Sequence, residues 1–226
     1  MIESQVIEAV LFDIDGTLIT TGGAGSEAWK RAFVELHGTP LDIREVTESG
    51  MTDPEVGRVA LRNILGRDPD AHELATAMGH YLRHLSAAID ESDGYKVMPG
   101  IEDLLDRLVD DGHLLGLTTG NVEAAAHIKL ARAALNRFFS FGGYGSDSNE
   151  RAELTRCAIE RGKLVSGGTL AKSACISVGD TPRDIAAAHG AGIQVVGVAT
   201  GNFTVDQLKA AGADHALTTV EAGFPV

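Results

Sequence analysis

The sequence predicts a doubly wound α/β fold carrying a helical insertion, and three observations support that expectation. Apolar runs that read as buried parallel strands recur at residues 6–12, 114–118, 174–178 and 195–198, with weaker ones at 138–142 and 215–218. Helical patterns at 101–109, 122–134, 151–161, 185–190 and 205–211 separate them, and strands alternating with helices imply a parallel sheet covered on both faces. The interval between the first and second strands holds no convincing strand but helical patterns at 26–37, 53–65 and 71–89. It reads as an inserted helical domain, residues 20–94, on a core of residues 1–19 and 95–226. The segments 20–25 and 90–94 at its borders are rich in glycine and polar residues, which suits hinges, so the insertion could open and close over the sheet's carboxyl edge.

A chain of 226 residues is long enough to bury such a core. Lys and Arg total 19 against 32 Asp and Glu, a net charge of -13, and no basic segment is interleaved with aromatics. That balance disfavours nucleic-acid and anionic-membrane partners, and an anionic substrate would have to be drawn in by local positive charge. Cys157 and Cys175 lie in no CxxC pattern and read as buried thiols of a reducing compartment. With no apolar stretch of membrane-spanning length, and no basic segment followed by an apolar run at the start, the expectation is a soluble cytoplasmic protein.

The first strand leads into Asp13-Ile14-Asp15-Gly16-Thr17. Alternation throws Asp13 and Asp15 to the same side at the strand's carboxyl end, where ligands bind in open α/β sheets. Two carboxylates brought together repel unless a cation sits between them or one keeps a proton, so the pair is a metal site, an acid/base pair, or both. Gly16 permits a sharp exit that brings backbone N–H groups toward an anion. A hairpin turn at Asp15-Gly16 would leave Asp13 unexplained, and no second strand follows at hairpin distance. The pattern suggests a phosphoryl-transfer site.

Two further strand ends carry matching chemistry. Thr118-Thr119-Gly120-Asn121 runs directly into a helix, which makes Thr119 and the Gly120 N–H candidate phosphate ligands, while Asn121 either joins them or caps the helix. In Gly179-Asp180-Thr181-Pro182-Arg183-Asp184, Thr181 reads as a helix cap, Pro182 as its first turn and Asp184 as the third position. Asp180 is then left to face Asp13 and complete a hard-oxygen cation site, for which Mg²⁺ is the usual occupant, with Asp184 either a further ligand or a capping residue. For the cation on the phosphate's other flank, Arg151 at a helix start is favoured over Lys163 and Lys172 in looser sequence, against the alternative of a solvated helical arginine. His80 and His84 have ligand-like spacing but no accompanying ligand, so a solvated face is expected there. In the insertion, Asp53 reads as a helix cap before Pro54, and the Thr52-Asp53 loop could also meet the substrate.

Together these elements resemble the haloacid dehalogenase superfamily over essentially the whole chain, in its phosphoglycolate-phosphatase-like branch. Asp13 to Thr17 is similar to the first motif of that family, Thr119 to the second, Arg151 to the third where lysine is more common, and Gly179-Asp180 with Asp184 to the fourth. The resemblance implies a Rossmann-like core with an inserted α-helical cap. It also implies a Mg²⁺-dependent phosphatase for a small phosphorylated metabolite, phosphoglycolate-like or a sugar phosphate. Asp13 would form an aspartyl phosphate, and Asp15 would serve as acid and then as base. The metal would be held by Asp13, the Asp15 carbonyl and Asp180, with Asp184 as a further ligand. Thr119, Gly120, Asn121 and Arg151 would hold the phosphate, and the loop with Thr52 and Asp53 would reach the site. A sugar phosphomutase would need both aspartates too. A dehalogenase would lack the second, and a non-catalytic module on this scaffold would not need Asp13, Asp15 and Asp180 together.

Overall fold

The computed structural model describes residues 7–226, so the predicted strand start at Val6 lies outside the described residues. In chain order the strands are β1 (Ala9–Phe12), β2 (Ile19–Thr21), β3 (Tyr95–Val97), β4 (Leu114–Thr119), β5 (Phe141–Tyr144), β6 (Cys175–Gly179), β7 (Gln194–Val198) and β8 (His215–Leu217). The helices are α1 (Ala24–His37), α2 (Asp53–Leu65), α3 (Ala71–Glu91), α4 (Ile101–Asp110), α5 (Glu123–Ala131), α6 (Arg151–Val165), α7 (Pro182–Ala191) and α8 (Val205–Ala210).

Six strands form one parallel sheet in the order β5-β4-β1-β6-β7-β8. Alternation along β1 sorts its residues between two cores. Val10 and Phe12 pack with Leu104, Leu105 and Leu108 of α4 and Leu130 of α5, whereas Ala9 and Leu11 pack with Ala158 and Ile159 of α6, Ile185 of α7 and Leu208 of α8. Helices therefore cover both faces, as an apolar, all-parallel sheet requires. No helix of the described residues is long and apolar enough to cross a membrane.

In the interval between β1 and β4, α1, α2 and α3 bury an apolar cluster of their own around Trp29, Phe33, Leu61, Tyr81 and Leu85, joined by Val122 and Ala125 of the α5 region, while α4 packs on the sheet. Trp29 stacks on Tyr81 with ring centroids 4.3 Å apart and planes within 8°. The expectation that this interval holds no strand does not stand. β2 and β3 pair antiparallel, Ile19 opposite Val97 and Thr21 opposite Tyr95, so a short two-stranded ribbon stands where the insertion leaves and rejoins the core. Each strand has three residues and β3 is only partly buried, too little for either an apolar run or a period-two pattern to register. A strand does therefore follow Asp15-Gly16, but its partner is β3 and not β1.

Candidate active site

Sheet register places the candidate groups. β1 lies between β4 and β6 with Phe12 opposite both Leu117 and Val178, and the Asp13 N–H donates to the Val178 carbonyl at 2.9 Å. The residues just past those strand ends then converge, with Asp13 in the centre, Thr119 on the β4 side and Asp180 on the β6 side. The connection leaving β1 turns toward β4 and that leaving β6 turns toward β7, so this is the switch point of the sheet, where a crevice opens. After Asp13 the chain curls tightly, with the N–H groups of Thr17, Leu18 and Ile19 all donating to the Ile14 carbonyl. Gly16 has φ +86°, and a Cβ there would come within 2.4 Å of the Asp180 carboxylate, so glycine is needed both for the bend and for the approach of Asp180.

Asp13, Asp180 and Asp184 are all buried, and each presents a carboxylate oxygen within 4.8 Å of the others. Burial, and then the charge of Asp184, push the Asp13 carboxyl up to about 7; burial and the charges of Asp184 and Asp13 push Asp180 up to about 9. The cation bordering this trio is Arg151, whose guanidinium sits on Asp184 Oδ1, lies 3.8 Å from Asp13 Oδ1 and donates to the Gly50 carbonyl at 3.3 Å. Three carboxyl groups face one arginine, so full ionisation would leave two uncompensated negative charges among hard oxygen donors. That donor set fits a divalent cation. Asp184 is the least available of the three, because its Oδ2 accepts from the Thr181 N–H at 3.0 Å and hydroxyl at 2.7 Å in a capping box while Oδ1 faces Arg151.

On the other side of Asp13, Thr119 is buried at the end of β4, and its hydroxyl oxygen accepts from the Asn121 side-chain amide at 2.8 Å. Asn121 is not the helix cap, since the N-cap position of α5 falls on Val122. Its amide nitrogen also donates to Asp15 Oδ2 at 2.8 Å, and its oxygen accepts from Lys129 Nζ at 2.5 Å. Lys129 completes the triangle with a 2.6 Å bond to Asp15 Oδ2. Burial alone would push the Lys129 ammonium down, but Asp15, Asp53 and Asp13 around it hold it above its ordinary value, so it is charged. The Asp15 side chain is 44% exposed, open to water where Asp13 is not.

Sequence reasoning missed Lys129. It occupies the inward stripe of α5 with Ala125, Ala126 and Leu130, and a lysine at a core position must find a carboxylate, which is the signal that would have found it. Of the other cations weighed, Lys163 pairs with Glu160 near the surface. His80 and His84 both pair with Glu35.

The Thr52-Asp53 segment differs from expectation in its capping. Thr52 is the N-cap of α2 and forms a capping box with Glu55, while Asp53 is the first helical residue. Freed from capping its own helix, the buried Asp53 carboxylate accepts the Val122 N–H of the α5 start at 2.9 Å and the Tyr81 hydroxyl, and the Asp53 N–H donates to the Gly120 carbonyl at 2.8 Å. The loop approaches so closely that a Cβ on Gly120 would lie 2.9 Å from the Met51 carbonyl oxygen. A cavity of about 160 Å³ remains, lined among others by Asp13, Asp15, Asp53, Thr119, Lys129 and Arg151, with no aromatic side chain in its wall.

The family model of the haloacid dehalogenase-like hydrolases matches residues 10–198, which includes every strand of the sheet except β8. The chain belongs to this family. It is 32% identical over 195 residues to a phosphoglycolate phosphatase of Rhodospirillum rubrum, covering 84% of this chain and 78% of the relative. It is 28% identical over 188 residues to a phosphoglycolate phosphatase of Cereibacter sphaeroides, covering 82% of each. The crystal structure of CbbY from Rhodobacter sphaeroides in complex with phosphate superposes with a TM-score of 0.76 at 21% identity, over 97% of both chains. The chain is a phosphoric monoester hydrolase, and its α/β fold matches that of the CbbY structure.

In this hydrolase Asp53 joins the helical insertion to the start of α5. Asp53→Ala is expected to cost about 1–3 kcal/mol, by leaving the buried Val122 N–H and Tyr81 hydroxyl short of an acceptor. Burial pushes the Asp53 carboxyl up to about 6 from 3.8. Because the folded value is the higher one, the linked stability is fully present below the unfolded value and is lost as pH rises through the folded one. Asp53→Asn keeps an acceptor and removes the charge, so melting temperatures taken between roughly pH 4 and pH 7 should fall less steeply for Asp53→Asn than for the wild type. Identical slopes would show that this carboxyl is solvated.

Proposed function

We propose that this hydrolase is a Mg²⁺-dependent phosphatase that moves the phosphoryl group of a small aliphatic monoester first to Asp13 and then to water. The carrying observation is the division of labour between two neighbouring carboxylates. Asp13 is buried against Asp180, Asp184 and Arg151, whereas Asp15, two residues on, is half exposed and held by neutral and cationic donors. Asp13 and Asp180 would hold the cation, which would supply the charge that lets an anionic nucleophile approach an anionic phosphate.

The chain's own groups supply the rest. Thr119, the Gly120 N–H and Arg151 border the space next to Asp13 and support holding the transferring oxygens there. An Asp13 oxygen bonds to phosphorus as the bond to the leaving oxygen breaks, and Asp15 gives that oxygen its proton. Asp15, now a carboxylate, takes a proton from the water that attacks phosphorus, and the Asp13 carboxylate is released. The insertion, residues 20–94, would act as a cap, with the β2–β3 ribbon as its base and Asp53 and Met51 closing over the cavity. A cavity of about 160 Å³ without aromatic walls supports a substrate of few heavy atoms, phosphoglycolate-like in size, over a nucleotide or a hexose bisphosphate. The free thiols Cys157 and Cys175 support a reducing, cytoplasmic setting.

The test uses Asp15→Ala with Mg²⁺ and two esters. Nitrophenolate leaves unaided and an alkoxide does not, so phosphoryl transfer to Asp13 should survive in part for the nitrophenyl ester and collapse for the alkyl ester. Water attack should be slow for both. The aryl ester should then release a burst of about one equivalent of phenolate per active site before a slow steady state. No burst, with no acid-stable label on Asp13, would overturn the two-step assignment.

A further inference from the structure

Lys129 belongs to no element that recognises phosphate in the reading above, yet it is the cation in closest contact with Asp15. Its side chain is 7% exposed, on a helix whose neighbouring inward positions are Ala125, Ala126 and Leu130. A buried ammonium is costly unless it is paired and hydrogen-bonded, and this one meets both conditions at a single point. Lys129 Nζ donates to Asp15 Oδ2 at 2.6 Å and to Asn121 Oδ1 at 2.5 Å, and Asn121 Nδ2 donates to the same Asp15 oxygen at 2.8 Å. Asn121 is fixed in turn by its bond to Thr119. Two donors fastened to each other thus converge on one oxygen of a side chain that is otherwise 44% exposed. A half-exposed aspartate with one neighbour would sample several rotamers; this clamp restrains the side chain through Oδ2 and engages Oδ1 with neither donor.

We propose that Lys129, braced by Asn121, is a positioning residue that clamps the Asp15 carboxyl so that its Oδ1 meets the leaving-group oxygen. The inference rests on the acid role assigned to Asp15 above. Its consequence is specific: loss of Lys129 should hurt most where the leaving group most needs a proton.

The experiment measures kcat/KM for aryl and alkyl phosphates of graded leaving-group basicity, for the full chain with Mg²⁺. Lys129→Met should lose roughly 10- to 100-fold on the alkyl ester and no more than about threefold on a nitrophenyl ester, less than the roughly 10²- to 10⁴-fold that a general acid itself contributes. Lys129→Arg, which can still donate to both Asp15 and Asn121, should recover part of the alkyl rate. Asn121→Ala should show the same steepened dependence in weaker form, and it serves if Lys129→Met does not fold. In an Asp15→Ala background, Lys129→Met should steepen the dependence no further, because the group it positions is gone. Equal losses on all esters, or steepening that persists without Asp15, would overturn the proposal by showing that Lys129 binds phosphate or supports the fold. If Asp15→Ala itself fails to steepen the dependence, the acid assignment falls instead, and the clamp with it.

Discussion

Asp13→Asn is expected to abolish turnover, by roughly four orders of magnitude or more, while leaving the protein folded and its metal-free form more stable than the wild type. The two halves of this result have different causes. The amide nearly matches the carboxylate in shape and leaves the backbone N–H bond to Val178 untouched, but its neutral oxygen is far too weak a nucleophile to attack phosphorus. Its neutrality also removes one of three buried carboxylates that repel one another, the repulsion that together with burial pushes the Asp13 carboxyl up to about 7. A purified variant should therefore be inert toward both alkyl and aryl phosphates, carry no phosphoryl label and melt no lower than the wild type in chelator. Retained hydrolysis of the aryl ester, the less demanding substrate, would remove Asp13 from the nucleophile role. Inertness accompanied by a lower melting temperature would instead mean that the ionised carboxylate supports the fold.

The parts of the molecule legible in the sequence share one physical property: each is local. β1, β4, β6 and β7 are buried on both faces, so their strand character shows as continuous apolar runs, and the chemistry at their ends shows as residues the local caps and turns leave unexplained. Asp180 is the clearest instance, since Thr181, Pro182 and Asp184 account for the helix start without it. What stayed hidden depends on partners distant in the chain. β2 and β3 exist because they pair across more than seventy residues, and three residues alone carry no pattern. Lys129 is 114 positions from Asp15, and a lysine in a helix reads as surface until the face that carries it is known to be the buried one. The capping of α2 was legible but misassigned. Thr52 with Glu55 spells a capping box, and assigning the cap to Thr52 frees Asp53 for the contact with α5 that its burial demands.

The same carboxylate trio predicts how the protein responds to metal. For the wild type in chelator, stability should fall as pH rises. The unfolded reference for Asp13 and Asp180 is 3.8, and the folded values are pushed up to about 7 and about 9. A folded value above the unfolded one means that the linked stability is fully present below the lower value and is lost as pH passes through the higher, so the decline should run across neutrality. Mg²⁺ should reverse it by compensating the charges that burial cannot tolerate. At about a hundred times its dissociation constant, a ligand that binds only the folded state adds about 2.7 kcal/mol. For a chain of this size that is roughly 5–10 °C in melting temperature. Asp180→Asn should uncouple the two effects: its metal-free form should melt higher than the wild type near pH 8, because the amide need not take up a proton on folding as the Asp180 carboxyl must, while Mg²⁺ at the same concentration should raise its melting temperature far less. Activity should return only in part at high Mg²⁺, since a charged ligand of the ion has become a neutral one. If Asp180→Asn kept the full Mg²⁺ response, the cation would have to sit elsewhere, and Asp180 would be a buried acid held neutral in the working enzyme.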